Sequence, residues 1–196
     1  MVRNPERRTA LVDAAIEVLA HEGARGLTFR AVDARAGVPV GTSSNYFASR
    51  DELFMQTGAR ITDRMTPDPV RVEEAMRPTP SRRLVTELMQ WLVQRMADDR
   101  TGYLAMLELR LEATRRPALL GHLNRTVRAD LDANARFHQE AGLPGDADAF
   151  LVLYLAMTGL LLDHFTLPGM LTGGATADRD LDRLVETIVT RIIPTE

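Results

Sequence analysis

Residues Leu27–Phe54 read LTFRAVDARAGVPVGTSSNYFASRDELF, and helix signals alternate there with breaks at short intervals. Thr28 follows Gly23-Ala24-Arg25-Gly26 and is a good N-cap for a helix beginning at Phe29. Phe29, Val32 and Ala36 recur at three- and four-residue spacing, which makes one face apolar. Gly37 supplies the positive φ that a helix end favours, Val38 plugs the turn, and Pro39 pre-sets φ for the start of a second helix. That helix carries Gly41-Thr42-Ser43-Ser44-Asn45, side chains too small and polar to build a core. They form a thin surface of short hydrogen-bonding groups, suited to close approach in a DNA major groove. Tyr46 combines a ring that packs with a hydroxyl that can bond a phosphate, and Phe47 is the expected plug of a small core. Ser49-Arg50-Asp51-Glu52 reads as a capping box opening a third helix at about Arg50. Arg50 then stands where backbone N–H groups and the helix dipole also attract an anion.

The segment Glu6–Phe54 resembles the N-terminal DNA-binding domain of TetR-type transcriptional regulators. The resemblance rests on Ala14-Ala15, Leu19, Gly23, Leu27-Thr28, Ala36-Gly37-Val38, Gly41-Thr42, Tyr46-Phe47 and Arg50-Asp51-Glu52-Leu53. It covers about the first quarter of the chain; the remainder is similar to the family in length and helical character. It implies that the second helix of the motif enters the major groove, and that Thr28, Tyr46 and Arg50 hold phosphates. With Arg30, Val40, Gly41, Thr42, Ser43, Ser44 and Asn45, these form the expected DNA-binding set. Pro39 replaces a usual helix-capping Ser or Thr, and Val40 a frequent Lys, which removes one phosphate contact. Ser43-Ser44 replaces a pair that is often bulkier, so the base preference does not carry over from relatives.

Composition agrees with a sequence-specific reader. The 196 residues carry a formal net charge of −3, and 45% are hydrophobic. Residues 1–50 hold seven Arg against five acids, about +2, and the rest is about −5. A weakly basic head on an acidic body suits such a reader better than a non-specific coat. All 24 basic residues are Arg. The absence of Cys excludes disulfides and thiolate metal sites. Met1–Arg8 lacks the apolar region of a signal peptide. The longest apolar run, Ala149–Leu162, is shorter than the roughly 20 residues that span a bilayer. A soluble cytoplasmic protein without membrane association is expected.

Outside the motif the chain reads as helix punctuated by Gly and Pro, all-α, with about nine helices. The first spans about Pro5–His21 and packs Leu11, Ala15, Val18 and Leu19 inward. One from Arg50 to about Met65 joins head to body. Thr66–Ser81 contains Pro67, Pro69, Pro78 and Pro80 and reads as a loop, with a helical turn around Val70–Met76. Arg82–Ala97, Gly102–Arg115 and Leu119–Ala141 follow. Asp146 or Asp148 caps a helix through His164. Thr172–Thr176 is a flexible turn, and Asp178–Ile193 the last helix. A three-helix head over residues 1–48 and a larger helical effector-binding and dimerisation domain over 49–196 are expected.

Two arrangements suit the last two helices. Phe150–Phe165 is apolar nearly all round, so burial on more than one side is expected. Leu181, Leu184, Val185, Ile188, Val189, Ile192 and Ile193 form a clean helical stripe. The pair either lies on a monomer core or meets its copy across a two-fold axis as a four-helix bundle. The resemblance favours a homodimer, which also sets two recognition helices about 34 Å apart on a palindromic double-stranded operator.

A regulator of this type senses a small molecule in its body. Trp91, Tyr103, Met106, Leu107, Met157, Leu161 and His164 are candidates for an adaptable apolar pocket, although ordinary core roles account for most such residues. Glu108 and Glu112, with Arg115 and Arg116 nearby, read as an ion-paired surface. His21, His122, His138 and His164 are scattered, without metal-ligand spacing or a defensible nucleophile–base arrangement. Neither metal nor cofactor nor catalytic residue is assigned. The sequence reading is thus a dimeric repressor released by a small apolar or amphipathic effector. Its alternative is an all-α small-molecule-binding protein or helical enzyme without DNA-binding activity.

Overall fold

The computed structural model describes residues 4–170 and 177–195. Thr172–Thr176, expected as a flexible turn, lies outside the described residues. Among the described residues there are ten helices and no strand: α1 Pro5–Gly26, α2 Phe29–Arg35, α3 Thr42–Tyr46, α4 Arg50–Met65, α5 Pro69–Ala75, α6 Arg82–Asp98, α7 Arg100–Ala113, α8 Pro117–Glu140, α9 Ala147–Thr166 and α10 Ala177–Ile192. The all-α expectation holds. The tenth helix is α5, which the sequence suggests as a single turn among prolines.

Helix starts follow capping chemistry. The Asn4 side chain accepts from Glu6 N at 2.9 Å, with Pro5 in the first turn. Thr28 Oγ1 accepts from Ala31 N at 3.1 Å and opens α2 as expected. Ser49 Oγ accepts from Glu52 N at 3.1 Å, while Glu52 reaches back to Ala48 N at 2.7 Å. The capping box therefore closes one residue earlier than its usual form. Of the two candidates for α9, Asp146 is the cap, accepting from Ala149 N. One boundary departs from expectation: α3 begins at Thr42 rather than at Pro39. Gly41 has φ +93°, a left-handed conformation that interrupts any helix begun at Pro39.

The chain divides into two compact units, Met1–Thr66 with Asp99–Arg128, and Pro67–Asp98 with Ala129–Glu196. The first contains the helix-turn-helix. In it α1 packs on α2, α4 and α7, and α4 on α7. Leu11, Ile16, Leu19, Leu27, Phe47, Leu53, Phe54, Ile61 and Leu109 are fully enclosed. Each such side chain contributes roughly 1.5–3 kcal/mol by leaving water. The kink at Gly23, φ +69°, turns the end of α1 toward the loop before α2.

Polar ties brace this core. Arg60 makes a bidentate pair with Asp13 at 2.8 and 3.2 Å, and that hydrogen-bonded pairing raises the Arg60 pKa. Arg64 pairs with Asp99. Arg116 binds Glu112 and Asp51, each at 2.6 Å, and stacks 5.0 Å from the Phe54 ring. The Arg116 hydrogen bond holds the Glu112 carboxyl below the usual range. Glu112 thus has the ion-paired role that its spacing suggests.

In the second unit α10 packs on α6 and α9. It buries Leu181, Val185 and Val189, with Ile193 buried just past its end, while Leu184, Ile188 and Ile192 are half-buried. α9 buries Leu153, Met157, Leu160, Leu161 and Phe165. Its opposite side leaves Leu151, Val152, Leu155 and Leu162 exposed, with Leu155 59% accessible. Burial on several sides is therefore not reached within one chain. By length and composition α9 also suits a membrane span, since the helix extends beyond the apolar run Ala149–Leu162 at both ends.

Candidate nucleic-acid interface

Between α2 and α3 the backbone reverses through Gly37, φ +65°, and Gly41. Val38 N donates to Asp33 O at 3.0 Å and Thr42 N to Pro39 O at 3.1 Å, which closes the turn. α3 is a five-residue helix, far below the length that is stable by itself in water. Its position is set by its neighbours. Phe47, just past its end, is 1% exposed and fills the core as expected.

The predicted DNA-binding residues separate into three groups. Thr28, Arg30, Val40, Ser44 and Asn45 are exposed, and Gly41 and Thr42 are partly exposed. Thr28 Oγ1 accepts from Ala31 N, a role that leaves its hydroxyl proton available to an incoming acceptor. The Thr42 and Ser44 hydroxyls donate to Pro39 O and Gly41 O, and Asn45 Nδ2 donates to Gly41 O at 3.1 Å. An open depression of about 430 Å³ lies beside α2, lined by Glu22, Thr28, Arg30, Ala31, Ala34 and Arg35.

Tyr46 and Arg50 form the second group, half-buried and held by the fold. Tyr46 packs against the core, and its carbonyl accepts from Arg8 Nη2 at 2.6 Å. Arg50 donates from Nε to Leu27 O at 3.0 Å and from Nη2 to Ala24 O at 2.9 Å, with its guanidinium 5.7 Å from the Phe54 ring. It ties α4 to the loop before α2. A guanidinium carries five N–H donors, so these bonds do not exhaust it.

Ser43 stands alone in the third group and corrects the sequence reading. It is 0% exposed and donates from Oγ to Asp33 Oδ1 at 2.6 Å. On so short a helix, Thr42, Ser44 and Asn45 face outward only if Ser43 faces in.

Sequence reasoning missed Arg8 and Asp33. Arg8 reaches Gln56 Oε1 at 2.5 Å and Tyr46 O, and lies 5.2 Å from the Phe47 ring. Asp33 is wholly buried. A signal for it existed: Asp33 stands four residues after Phe29 and three before Ala36, a carboxylate set into an apolar stripe.

The effector candidates fall in both units. Tyr103, buried, and Met106 and Leu107, half-buried, belong to the first, where Met106 packs on the core. Trp91, Met157, Leu161 and His164 belong to the second. Trp91 is half-buried with the Arg95 guanidinium 5.1 Å from its ring, and burial lowers the Arg95 pKa. Met157 and Leu161 are core residues, and His164 stacks edge-on with Phe165 at 4.7 Å.

Known proteins share both parts of the chain. Residues 11–57 match the family model described as bacterial regulatory proteins, tetR family, and residues 80–195 match the tetracyclin repressor-like C-terminal domain. The chain is 26% identical to the HTH-type nicotine-responsive transcriptional repressor HdnoR of Paenarthrobacter nicotinovorans, over 95% of its own length and 96% of that protein. A transcriptional regulator from Rhodococcus sp. Rha1 shares the fold with a TM-score of 0.71 at 20% identity, over 94% of each chain. The multidrug binding protein EbrR, in its complex with ethidium, gives a TM-score of 0.67 at 29% identity, over 97% of this chain and 100% of that one. With an exposed polar helix on a helix-turn-helix frame, and family models matched over most of its length, this chain belongs to the TetR family and is a transcriptional regulator, not an enzyme.

Proposed function

We propose that this regulator is a homodimeric, cytoplasmic repressor that binds a palindromic operator and is released by a small apolar or amphipathic effector. The observation that carries the DNA part is the outward set on and beside α3, namely Val40, Gly41, Thr42, Ser44 and Asn45, on a helix too short to serve as core. Thr28 and Arg30 border the depression beside α2, and phosphates are their partners. Tyr46 and Arg50 meet the backbone from the ends of α3 and α4. In this reading residues 1–48, with Arg50 at the start of α4, grip DNA, and 49–196 bind effector and dimerise.

The dimer follows from α9. Its exposed Leu151, Val152, Leu155 and Leu162 form a face that water disfavours. A second copy, meeting it through α9 and α10, covers that face as a four-helix bundle. This occupant suits the face better than lipid: α9 buries its other side in protein and carries Asp148 and Asp163.

Two relatives support an effector. One is by name nicotine-responsive, and another is held with ethidium. Trp91 and His164 supply aromatic contacts, Met157 a polarisable one and Leu161 an apolar one, of the kind such molecules use. Binding in the body shifts the population toward a state whose α3 helices no longer match the groove spacing.

Selection of duplexes from a random pool, followed by gel shift, tests the DNA reading. Arg50→Ala is expected to weaken selected and unrelated duplexes alike and to lower the salt slope by about one phosphate. Ser44→Ala and Asn45→Ala are expected to change the preferred sequence instead. If the wild-type chain enriches no palindrome, the reading fails.

A further inference from the structure

Asp33 is, among the described residues, the one acidic side chain that is fully buried. A carboxylate taken out of water is costly unless its lone pairs are bonded. Here they are, and the three hydrogen bonds that the carboxylate accepts all come from the start of α3. Oδ2 accepts from Gly41 N at 2.7 Å, and Oδ1 accepts from Ser43 N at 2.7 Å and from Ser43 Oγ at 2.6 Å.

This arrangement replaces a missing cap. The first N–H groups of a helix need acceptors from outside it, and a Ser, Thr, Asp or Asn at the N-cap normally supplies one. The N-cap of α3 is Gly41, which makes no side-chain cap bond. Asp33 supplies the acceptor from the middle of α2, and its charge suits the positive end of α3. α2 is anchored by Val32, 0% exposed in the core. Turning α3 about its axis, or sliding it along α2, breaks these bonds, and the two to Ser43 are fully buried.

We propose that Asp33 is a positioning residue for DNA reading. By fixing the rotation of α3 it sets which bases Thr42, Ser44 and Asn45 discriminate, without touching DNA. The role rests on the DNA-binding reading above and deepens it.

The test uses the full chain and two duplexes: one enriched by the wild-type protein from a random pool, and a scrambled duplex of the same length. The readout is the ratio of the two affinities at one salt concentration. A smaller folded fraction lowers both affinities by the same factor and cancels in the ratio, so destabilisation alone does not move it. Asp33→Asn places an amide NH₂ where a carboxylate oxygen accepts, and so loses at least one bond to α3 at nearly constant volume. The ratio is expected to fall about tenfold, the scale of one good base contact, with scrambled-duplex affinity and its salt slope unchanged. Ser43→Ala keeps both backbone bonds and removes only Oγ. It is expected to lower the ratio about threefold, the scale of one net hydrogen bond, and it decides the question if Asp33→Asn does not fold. Because Ser43 is fully buried, that change does not report a lost base contact. An unchanged ratio in the folded variants, alongside a discriminating wild type, overturns the role of Asp33 and leaves the DNA reading intact. A wild type that does not discriminate at all overturns both.

Discussion

α3 has five residues and buries Ser43; α9 has twenty and buries five, yet α9 exposes Leu151, Val152, Leu155 and Leu162 while α3 exposes small polar groups. The two helices are held by different physics. α3 has too little apolar area to pack itself into place. It is fixed at one end by the Asp33 carboxylate and at the other by the Arg8 guanidinium on the Tyr46 carbonyl, charges that oppose its dipole. Those bonds are directional, so they specify orientation, as a reading surface requires. α9 is held by apolar burial, which is strong but non-directional, and within one chain it leaves an apolar side exposed. Directional ties suit the face that must discriminate, and undirected ones suit the face that only needs to be covered.

The largest expected effect breaks the comparison on the α9 side. Leu155→Arg places a charge at the centre of the exposed face, where the single chain leaves it accessible. Monomer stability should change by less than about 0.5 kcal/mol. The mass measured in solution should drop from two chains to one, and palindrome affinity should fall on the order of a hundredfold as the second half-site becomes a separate binding event. A dimer that survives this change would place the interface elsewhere.

On the α3 side the expected effect is smaller. Arg8→Ala removes the bonds to Tyr46 O and Gln56 and the contact with the Phe47 ring. Denaturant unfolding should show a loss of about 1–2 kcal/mol, since hydrogen bonds to charged groups are the stronger kind but this one is partly solvated. A loss several times larger would mean that α3 depends on Arg8 for folding and not only for placement.

The smallest effect asks whether ionic ties away from α3 matter as much as those on it. Glu112→Gln should cost about 1 kcal/mol at neutral pH. The Glu112 pKa lies below its unfolded value because of the Arg116 hydrogen bond. Its contribution is therefore complete above the ordinary carboxylate range and is lost as pH falls through the lowered folded value. The gap between wild type and variant should close on acidification in that window. A gap that stays constant into acid would assign the stabilisation to packing rather than charge.

Much of the frame was legible because it is local. Thr28, Ser49 and Asp146 cap their helices through neighbours three residues away, and Gly37 takes the positive φ that its place predicts. Phe47, expected as the plug of the small core, is buried there. The start of α3 was misread because Pro39 suits a helix start, whereas the left-handed Gly41 two residues later delays it. Ser43 was misplaced because composition alone does not tell the inner from the outer side of a single helical turn.

What the sequence determined by itself was the set of short-range preferences: about nine of the ten helices, their caps and breaks, the polar character of α3 and the apolar character of α9. Hydrogen bonds to near neighbours and side-chain periodicity produce these, and both are written in consecutive residues. Only the tertiary structure decided that Asp33, ten residues before Ser43, caps α3 from another helix, and that Arg8 closes its far end from thirty-eight residues away. It also decided that one side of α9 remains exposed. These facts depend on which surfaces meet, and that is settled when the apolar stripes of separate helices are buried against one another.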